Sequence, residues 1–373
     1  MGKLGDIFRT YGDEYRRHFA EDMSLDQLRT MDAIEKCHTP AAGSALWRCP
    51  DCGHGHFTYQ GCGNRHCPSC GRTSANEWLR KQCALLLPGV TYHLVTFTVA
   101  EQLRRHVRSH PRELLDQLMR TASSTLLDLC ENPKWCGGVP GVTAVLHTWT
   151  RQGAYHPHVH FIATGGGLDK KGQWRSSHPK FLVPVPALSK VFRARLRDDI
   201  KAKYPEIFAM MKPSVWQWKK KWVVHSKPVG SGEQAYRYLA NYVHQVYLSE
   251  RAILQHDAKC VTLRYRKSGE KKLRTMRLEP MEFLRRFLQH VLPSRFCKVR
   301  HYGLHHSSKR KTIKLLQAAM SIAQGCDLAA LPQIPPTDPI TCPKCKAVMM
   351  FEKHLTQKQR LEFESAAPRG PPE

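Results

Sequence analysis

The feature that most constrains the fold of this chain is a cysteine-rich module between residues 37 and 75. Two C-x-x-C pairs, Cys49/Cys52 and Cys67/Cys70, are separated by fourteen residues within it. Each pair places two thiolates on one tight turn, and two such turns can supply the four ligands of a tetrahedral zinc site. So short and loop-rich a module cannot bury much core. We therefore expect zinc to supply its folding free energy, in a closed site with a structural role.

The module also contains other potential ligands, namely Cys37, His54, Cys62 and His66. Two thiolates and two imidazoles suit zinc as well, so a second zinc site in the module is an open alternative. A last C-x-x-C pair, Cys342 and Cys345, has no second pair after it. A site there would need His354 or a partner from elsewhere in the chain.

The charge of the chain indicates a polyanionic partner. Its 58 Lys and Arg against 31 Asp and Glu give a net charge of +27, which points to nucleic acid. The N-terminus has no apolar run with a small-residue cleavage site, and no apolar stretch is long enough for a membrane span. We therefore expect a cytoplasmic protein with no membrane partner. In that reducing compartment, 14 cysteines favour metal binding over disulfides.

Periodicity and end signals predict an α+β chain. Helices are expected over residues 1–36, with a capping box from Ser24 to Gln27, over 111–130, 187–204 and 280–292, and within 229–246 after a Gly/Ser turn. Strands are expected over 92–100, 141–150 and 156–164, within residues 219–228, and as a basic hairpin over 259–278. Glycines 165–167 are expected to end the third strand. Residues 331–339 read as a proline-rich linker, and the last nine residues as disordered.

The third strand carries the sequence "HPHVH", with His158 and His160 on one face because side chains alternate along a strand. His147 lies on the preceding strand and reaches the same face if the two strands form a hairpin. Three imidazoles with open positions between them are typical of a metal site that performs chemistry. The alternative is a polar face of a half-buried strand.

A possible nucleophile lies in the stretch "YLANY". Tyr238 and Tyr242 are four residues apart and share one face of the predicted helix. A tyrosine can attack a phosphate that a metal holds in line with it, but the same spacing also fits two core aromatics. The basic residues before this helix are predicted to follow a DNA backbone, unless they form only a solvated charge run; they are Lys219, Lys220, Lys221 and Lys227.

These motifs together resemble the IS91-type rolling-circle transposases, a group within the HUH endonucleases. The resemblance includes "GCGNRHCPSC", "LHTWTRQGAYHPHVHFI", "YLANYVHQVYLSERAI" and "RHYGLHH", in the order typical of the family, and covers residues 37 to about 306. It implies a central antiparallel sheet flanked by helices, with the histidines in the sheet and the tyrosines on a neighbouring helix. It also implies that His147, His158 and His160 bind a catalytic Mg²⁺ or Mn²⁺.

The same resemblance implies a reaction. Tyr238 or Tyr242 would attack single-stranded DNA at a transposon end, forming a 5′-phosphotyrosine and a free 3′-hydroxyl, without a nucleotide cofactor. The expected domains are a helical arm (1–36), a zinc-binding domain (37–75), a catalytic domain (76–258, with an insertion around 165–225), a basic C-terminal region (259–330) and a tail with the last C-x-x-C pair (331–373).

Two other functions remain open at this point. A plasmid replication initiator or relaxase would use the same chemistry, and terminal DNA repeats around the coding region would distinguish it from a transposase. A zinc-ribbon protein that only binds nucleic acid would use the histidines structurally and form no covalent DNA adduct.

Overall fold

A computed structural model describes residues 2–217, 222–243, 248–266, 270, 272–324 and 339–366. The chain is α+β, with antiparallel sheets flanked by helices, as the sequence predicts. Two compact units can be distinguished: unit 1 comprises Met1–Ser74, His244–Val291 and Pro335–Glu373, and unit 2 comprises Ala75–Val243 and Leu292–Ile334. Among the described residues, no helix combines the length and apolarity that crossing a membrane requires.

The helices are, in chain order, α1 (Lys3–Phe19), α2 (Leu25–Lys36), α3 (Gly71–Cys83), α4 (Arg104–Ser109), α5 (Pro111–Glu131), α6 (Val185–Lys203), α7 (Pro205–Ala209), α8 (Glu233–Val243), α9 (Pro280–Leu288), α10 (Arg310–Gln324) and α11 (Gln357–Ala366). The strands are β1 (Ser44–Arg48), β2 (Gly55–Tyr59), β3 (Tyr92–Thr98), β4 (Val139–Trp149), β5 (Tyr155–Leu168), β6 (Trp174–Ser176), β7 (Val224–Pro228), β8 (Ile253–His256), β9 (Val261–Arg266), β10 (Leu273–Leu278), β11 (Val299–Gly303) and β12 (Met350–Leu355).

Local signals account for several of these elements. The Ser24 hydroxyl accepts a hydrogen bond from the backbone N–H of Gln27, and the Gln27 side chain accepts one from the Ser24 N–H, so the predicted capping box is confirmed. Pro111 begins α5 and Pro280 begins α9, where a missing N–H has no cost. The predicted basic hairpin is also confirmed, as β9 and β10.

Unit 2 is built on an antiparallel sheet with strand order β11-β4-β5-β3-β7, to which β6 adds beside β5. Alternation along the strands gives the sheet two distinct faces. One face joins the main apolar core, where Ala144 and Phe161 pack with residues of α5 and α6. On the other face, Val145 and Ile162 pack in a second cluster with residues of α3 and α8.

The prediction that glycines 165–167 end the third strand is wrong, because β5 continues through them to Leu168. The chain passes very close to its neighbours here. A Cβ atom on Gly165 would lie 2.2 Å from the carbonyl oxygen of Thr91, and one on Gly167 would lie 2.4 Å from the backbone of Val139. Glycine is therefore required by close strand contact and does not mark an exit from the sheet.

Unit 1 contains two three-stranded antiparallel sheets, with orders β12-β1-β2 and β10-β9-β8. Helices α1 and α9 pack together through an edge contact between Phe8 and Phe287, whose ring centroids are 5.3 Å apart. The C-terminal strand β12 pairs with β1, so the two ends of the chain share one sheet. The proline-rich linker and the final tail fall almost entirely outside the described residues.

Candidate active site and metal centres

The predicted histidines come together on the two central strands of unit 2. His147 on β4 lies directly opposite His158 on β5, and His160 follows two residues later on the same face. Their potential ligand nitrogens all lie within 4.8 Å of one another. The hairpin that the sequence predicts is thus confirmed, and it brings three imidazoles within reach of a single ion.

Hydrogen bonds orient two of the rings. Nδ1 of His158 lies 2.7 Å from the carbonyl oxygen of His156, which can only accept, so Nδ1 holds the proton and Nε2 keeps its lone pair. Nδ1 of His160 is 2.8 Å from the hydroxyl of Thr96 on β3, and when Nδ1 donates to this hydroxyl, Nε2 is the nitrogen that can bind a metal. Thr96 was not singled out from the sequence, because nothing local marks it.

Burial keeps these imidazoles neutral. It lowers the pKa of His158 to about 4, and it lowers the pKa of His147 and His160 well below the usual range, with the neighbouring histidines adding to the effect. Neutral imidazoles have lone pairs available for a metal at physiological pH. Three such donors fit a divalent transition metal and leave coordination positions for water or a phosphate oxygen.

Two cations lie near this cluster. The positive charge of Lys298 contributes to the low pKa of His147, and that of Arg104 contributes to the low pKa of His156 and His158. The Lys298 ammonium also lies 5.8 Å from the ring centre of Trp149, which stacks on His147. These charges make the surroundings of the cluster favourable for an anion, and neither residue was singled out from the sequence.

The tyrosine helix α8 packs on the same face of the sheet. Its residues Tyr236, Leu239 and Val243 share an apolar cluster with Val145 and Ile162. Val145 lies two residues before His147 on β4, and Ile162 lies two residues after His160 on β5. Because side chains alternate along a strand, all four point to the same face of the sheet. The sheet face that holds the histidines is therefore also the face on which α8 lies.

The tyrosines of α8 differ in exposure. Tyr236 is fully buried, burial raises its pKa well above the usual range, and its hydroxyl is 3.1 Å from that of Thr143. Tyr238 is exposed to 41%. The backbone of Tyr242 lies in α8, but its side chain is outside the described residues. Of the two described hydroxyls, that of Tyr238 is the one accessible to a substrate.

Thr143 is the centre of a buried polar network beneath α8. Besides Tyr236, its hydroxyl contacts Nδ1 of His305 at 3.0 Å and Nδ1 of His301 at 3.3 Å. Both histidines come from the stretch "RHYGLHH", and β11 places His301 opposite Thr143. The network thus connects the tyrosine helix to the sheet through buried polar groups.

Of the predicted DNA-binding lysines, Lys219, Lys220 and Lys221 lie outside the described residues. Lys227 is exposed on β7, the strand beside β3 at the edge of the sheet.

The cysteines form two clusters in unit 1, and their grouping differs from the predicted one. The prediction that Cys49/Cys52 and Cys67/Cys70 complete one site is wrong, because each pair belongs to a different cluster. Among the residues that the structure describes, neither His54 nor His66 joins a ligand cluster. The spacing of cysteines in the sequence could not reveal this grouping, because it does not show which turns the fold brings together.

The first cluster combines Cys67 and Cys70 with Cys37, at the end of α2, and with Cys62. The sulfur of Cys37 lies 3.6 Å from that of Cys67 and 3.5 Å from that of Cys70. A tetrahedral zinc site with bonds of about 2.3 Å has sulfur–sulfur edges of about 3.8 Å, so the cluster has the size that zinc requires. Hydrogen bonds among the four thiols lower the pKa of Cys37 and Cys70 and raise the pKa of Cys62 and Cys67, so the sulfurs share their protons as one group.

The second cluster combines Cys49 and Cys52 with the C-terminal pair Cys342 and Cys345. The sulfurs of Cys49 and Cys345 are 3.4 Å apart, and those of Cys52 and Cys342 are 3.7 Å apart. The partner of the C-terminal pair thus comes from the opposite end of the chain, and His354 is not part of the cluster.

Comparison with known proteins identifies the family. Residues 7–99 match a family described as "Transposase zinc-binding domain", of the IS91 type, and residues 141–312 match one described as "Putative transposase". A protein of Sinorhizobium fredii named "Putative transposase y4qJ" is 33% identical over 81% of this chain and 79% of its own length. The chain belongs to the IS91 family of transposases.

A second IS91-family relative is the "Transposase for insertion sequence element IS801" of Pseudomonas savastanoi pv. phaseolicola. It is 27% identical over 77% of this chain and 72% of its own length. No solved structure matches the chain significantly. As an IS91-family transposase, the protein acts on DNA and has a zinc-binding domain at its N-terminal end. The match to the zinc-binding domain includes Cys37 to Cys70, and the match to the transposase family includes the three histidines and α8.

Proposed function

We propose that this IS91-family transposase cleaves and rejoins single-stranded DNA through a tyrosine nucleophile, next to a divalent metal bound by His147, His158 and His160. The observation that carries the proposal is that the histidines and the tyrosine helix share one face of the sheet. Three neutral imidazoles lie on the face against which the tyrosine helix α8 packs. A non-enzymatic DNA-binding protein would have no need of three imidazoles so arranged.

The histidines would hold the metal through Nε2 of His158 and His160, with Thr96 and the His156 carbonyl keeping both rings oriented. When bound, a divalent cation polarises a scissile phosphate and orients it for in-line attack. Imidazole nitrogens suit Mn²⁺ better than Mg²⁺, which prefers oxygen ligands. We therefore expect greater activity with Mn²⁺ at equal concentration.

The cations Arg104 and Lys298 would offset the charge of the phosphate and hold it at the histidines. The Tyr238 or Tyr242 oxygen then attacks phosphorus, and the bond from phosphorus to the 3′ oxygen breaks. The tyrosine hydroxyl loses its proton and the leaving 3′ oxygen gains one, which gives a 5′-phosphotyrosine and a 3′-hydroxyl. One phosphodiester replaces another, so no nucleotide cofactor is required.

Zinc has a separate role in this protein. We propose that the first cysteine cluster, Cys37, Cys62, Cys67 and Cys70, holds the zinc of the matched zinc-binding domain. All four positions of a tetrahedral ion are then filled by the protein, so its role is structural.

The test uses the purified protein, Mn²⁺ and labelled single-stranded oligonucleotides that carry either end of its own insertion element. A denaturing gel should show a covalent protein–DNA adduct, which is absent with duplex DNA of the same sequence. Tyr238→Phe/Tyr242→Phe should abolish the adduct, whereas Tyr236→Phe, which alters a buried tyrosine of the same helix, should retain it. An adduct that persists in the double variant would contradict the tyrosine mechanism.

A further inference from the structure

The four cysteines of the second cluster come from the two ends of the chain. Cys49 and Cys52 follow β1, whereas Cys342 and Cys345 precede β12, and the pairs lie about 290 residues apart in sequence. The matched zinc-binding domain ends at residue 99 and the matched transposase region at residue 312. Neither match includes the C-terminal pair.

We propose that Cys49, Cys52, Cys342 and Cys345 bind a second structural zinc ion, which fastens the C-terminal segment to the N-terminal zinc-binding domain. The proposal is independent of the DNA cleavage reaction. We name this set of four residues the terminal clasp.

Ligand geometry supports the clasp. All four sulfurs lie within 4.8 Å of one another. The distances of 3.4 Å between the sulfurs of Cys49 and Cys345 and 3.7 Å between those of Cys52 and Cys342 are close to the edge of about 3.8 Å expected for a zinc–thiolate tetrahedron. Cys49 and Cys342 are almost completely buried, whereas Cys52 and Cys345 are exposed. Four thiols gathered at this spacing without a metal would leave their polar sulfurs with only weak mutual hydrogen bonds.

The two turns of the clasp have the same backbone structure. In the first, the N–H of Cys49 donates to the carbonyl of His54, and the N–H of Gly53 donates to the carbonyl of Cys49. In the second, the N–H of Cys342 donates to the carbonyl of Ala347, and the N–H of Lys346 donates to the carbonyl of Cys342.

The residue after the second cysteine is also equivalent in the two turns. Gly53 has a φ of 70° and Lys346 has a φ of 65°. A lysine rarely adopts this left-handed conformation unless the surrounding structure requires it. Its presence here indicates that the C-terminal turn is shaped to aim both thiolates at one point, as the glycine-containing turn is.

A small apolar cluster surrounds the clasp. Cys49 and Cys342 pack with Met349, and Trp47, Ile340 and Ala347 cover this group. Phe351 of β12 meets Trp47 of β1 edge to face, with ring centroids 5.6 Å apart. So small a cluster gives limited hydrophobic stabilisation, and a metal would supply what it lacks.

Zinc content gives the first test. The full-length protein and its variants are purified without chelator, and the zinc content per chain is measured by inductively coupled plasma mass spectrometry. Cys342→Ser/Cys345→Ser should contain one zinc fewer than the parent. Cys67→Ser/Cys70→Ser should lose at least one, because unfolding of the zinc-binding domain would also release an ion held by Cys49 and Cys52. Cys297→Ser removes an exposed cysteine outside both clusters and should lose none. Because each variant is compared with its parent, zinc bound by the histidines cancels.

A conservative variant separates loss of a ligand from misfolding. Cys345→His should retain the zinc, because three thiolates and one imidazole also form a structural zinc site. A parent and Cys342→Ser/Cys345→Ser with equal zinc content would overturn the proposal. So would a disulfide within the cluster, detected as thiols that react only after reduction.

A nicked protein tests the clasp itself. A site for a specific protease is inserted between Gln324 and Pro339, and the chain is cut after purification. The C-terminal fragment should co-elute with the rest of the protein in zinc and dissociate when a zinc chelator is added. In Cys342→Ser/Cys345→Ser it should dissociate without chelator. Retention of the fragment in that variant, or in chelator, would contradict the clasp.

Discussion

The cysteine clusters of unit 1 and the histidine cluster of unit 2 use metal ligands in opposite ways. Each cysteine cluster gathers four thiols at zinc–thiolate spacing, so the protein can fill every position of a tetrahedral ion. The histidine cluster offers three imidazoles and leaves positions open. A bound metal is therefore expected to keep unit 1 folded and to take part in the reaction in unit 2.

The surroundings of the clusters agree with this division. The cysteines lie on turns and strand ends in a module with little core of its own. The histidines lie on β4 and β5, between two apolar clusters that stabilise the sheet without any metal. Loss of metal should therefore affect folding in the first case and activity in the second.

The largest expected effect comes from the first cysteine cluster. Cys67→Ser/Cys70→Ser should unfold the zinc-binding domain, because a structural zinc supplies apparent free energies on the order of 10 kcal/mol to small domains. Limited proteolysis should then cut between residues 37 and 70, where the parent should resist cleavage. A variant that resists the protease as the parent does would show that the domain folds without this zinc.

Removing histidine ligands should give the converse result. His158→Ala/His160→Ala should lower the rate of DNA cleavage by about a thousandfold, because the metal contributes several kcal/mol to the transition state. The midpoint of urea unfolding, measured without added metal, should fall by far less than it does in the cysteine variant. His156→Ala removes a neighbouring imidazole but keeps the carbonyl that orients His158, and serves as the control. Unfolding of the double variant, instead of selective inactivity, would remove the contrast between the clusters.

Acid should weaken unit 2 through its buried histidines. His93 is fully buried, neither of its ring nitrogens has a hydrogen-bond partner among the described residues, and burial lowers its pKa to about 4. An unfolded histidine has a pKa of about 6.5, so between these values the unfolded state binds more protons. Stability is thus complete above about pH 6.5 and is lost as the pH falls towards 4. His93→Leu should reduce this loss in urea unfolding between pH 7.5 and 5.5, and an unchanged pH dependence would contradict the assignment.

The smallest expected effect concerns a single backbone angle in the terminal clasp. Lys346→Gly should stabilise the C-terminal turn by about 0.5 to 1 kcal/mol, because glycine adopts a positive φ without the steric penalty of a side chain. The measurement is the chelator concentration at which the nicked fragment dissociates. Gly53→Ala, whose added Cβ meets no atom within 4 Å, should shift this midpoint in the opposite direction.

Much of unit 2 could be predicted from the sequence because its signals are local. The alternation of "HPHVH" and the short connection after His147 determine which imidazoles share a face. Four apolar residues of α8 have the spacing of a buried helix face, namely Tyr236, Leu239, Ala240 and Val243. This spacing predicts that Tyr236 is buried and Tyr238 is exposed.

Unit 1 was harder to predict because its decisive contacts are distant in sequence. Two C-x-x-C pairs fourteen residues apart suggest one site, yet the structure gives each pair other partners. Nothing near Cys342 indicates that β12 returns to β1. The prediction that glycines 165–167 end a strand failed for a related reason. Glycine is favoured both in a turn and where another strand passes close by, and the sequence does not distinguish the two.

The most direct test of the proposed reaction is to identify the residue that becomes linked to DNA. The adduct formed on single-stranded DNA with Mn²⁺ is digested with nuclease and trypsin, and its peptides are sequenced by mass spectrometry. Trypsin cleaves after Arg237, so a peptide that begins at Tyr238 excludes Tyr236. We expect a nucleotide joined through its 5′ phosphate to Tyr238 or Tyr242. A nucleotide on any other residue, or joined through a 3′ phosphate, would contradict it.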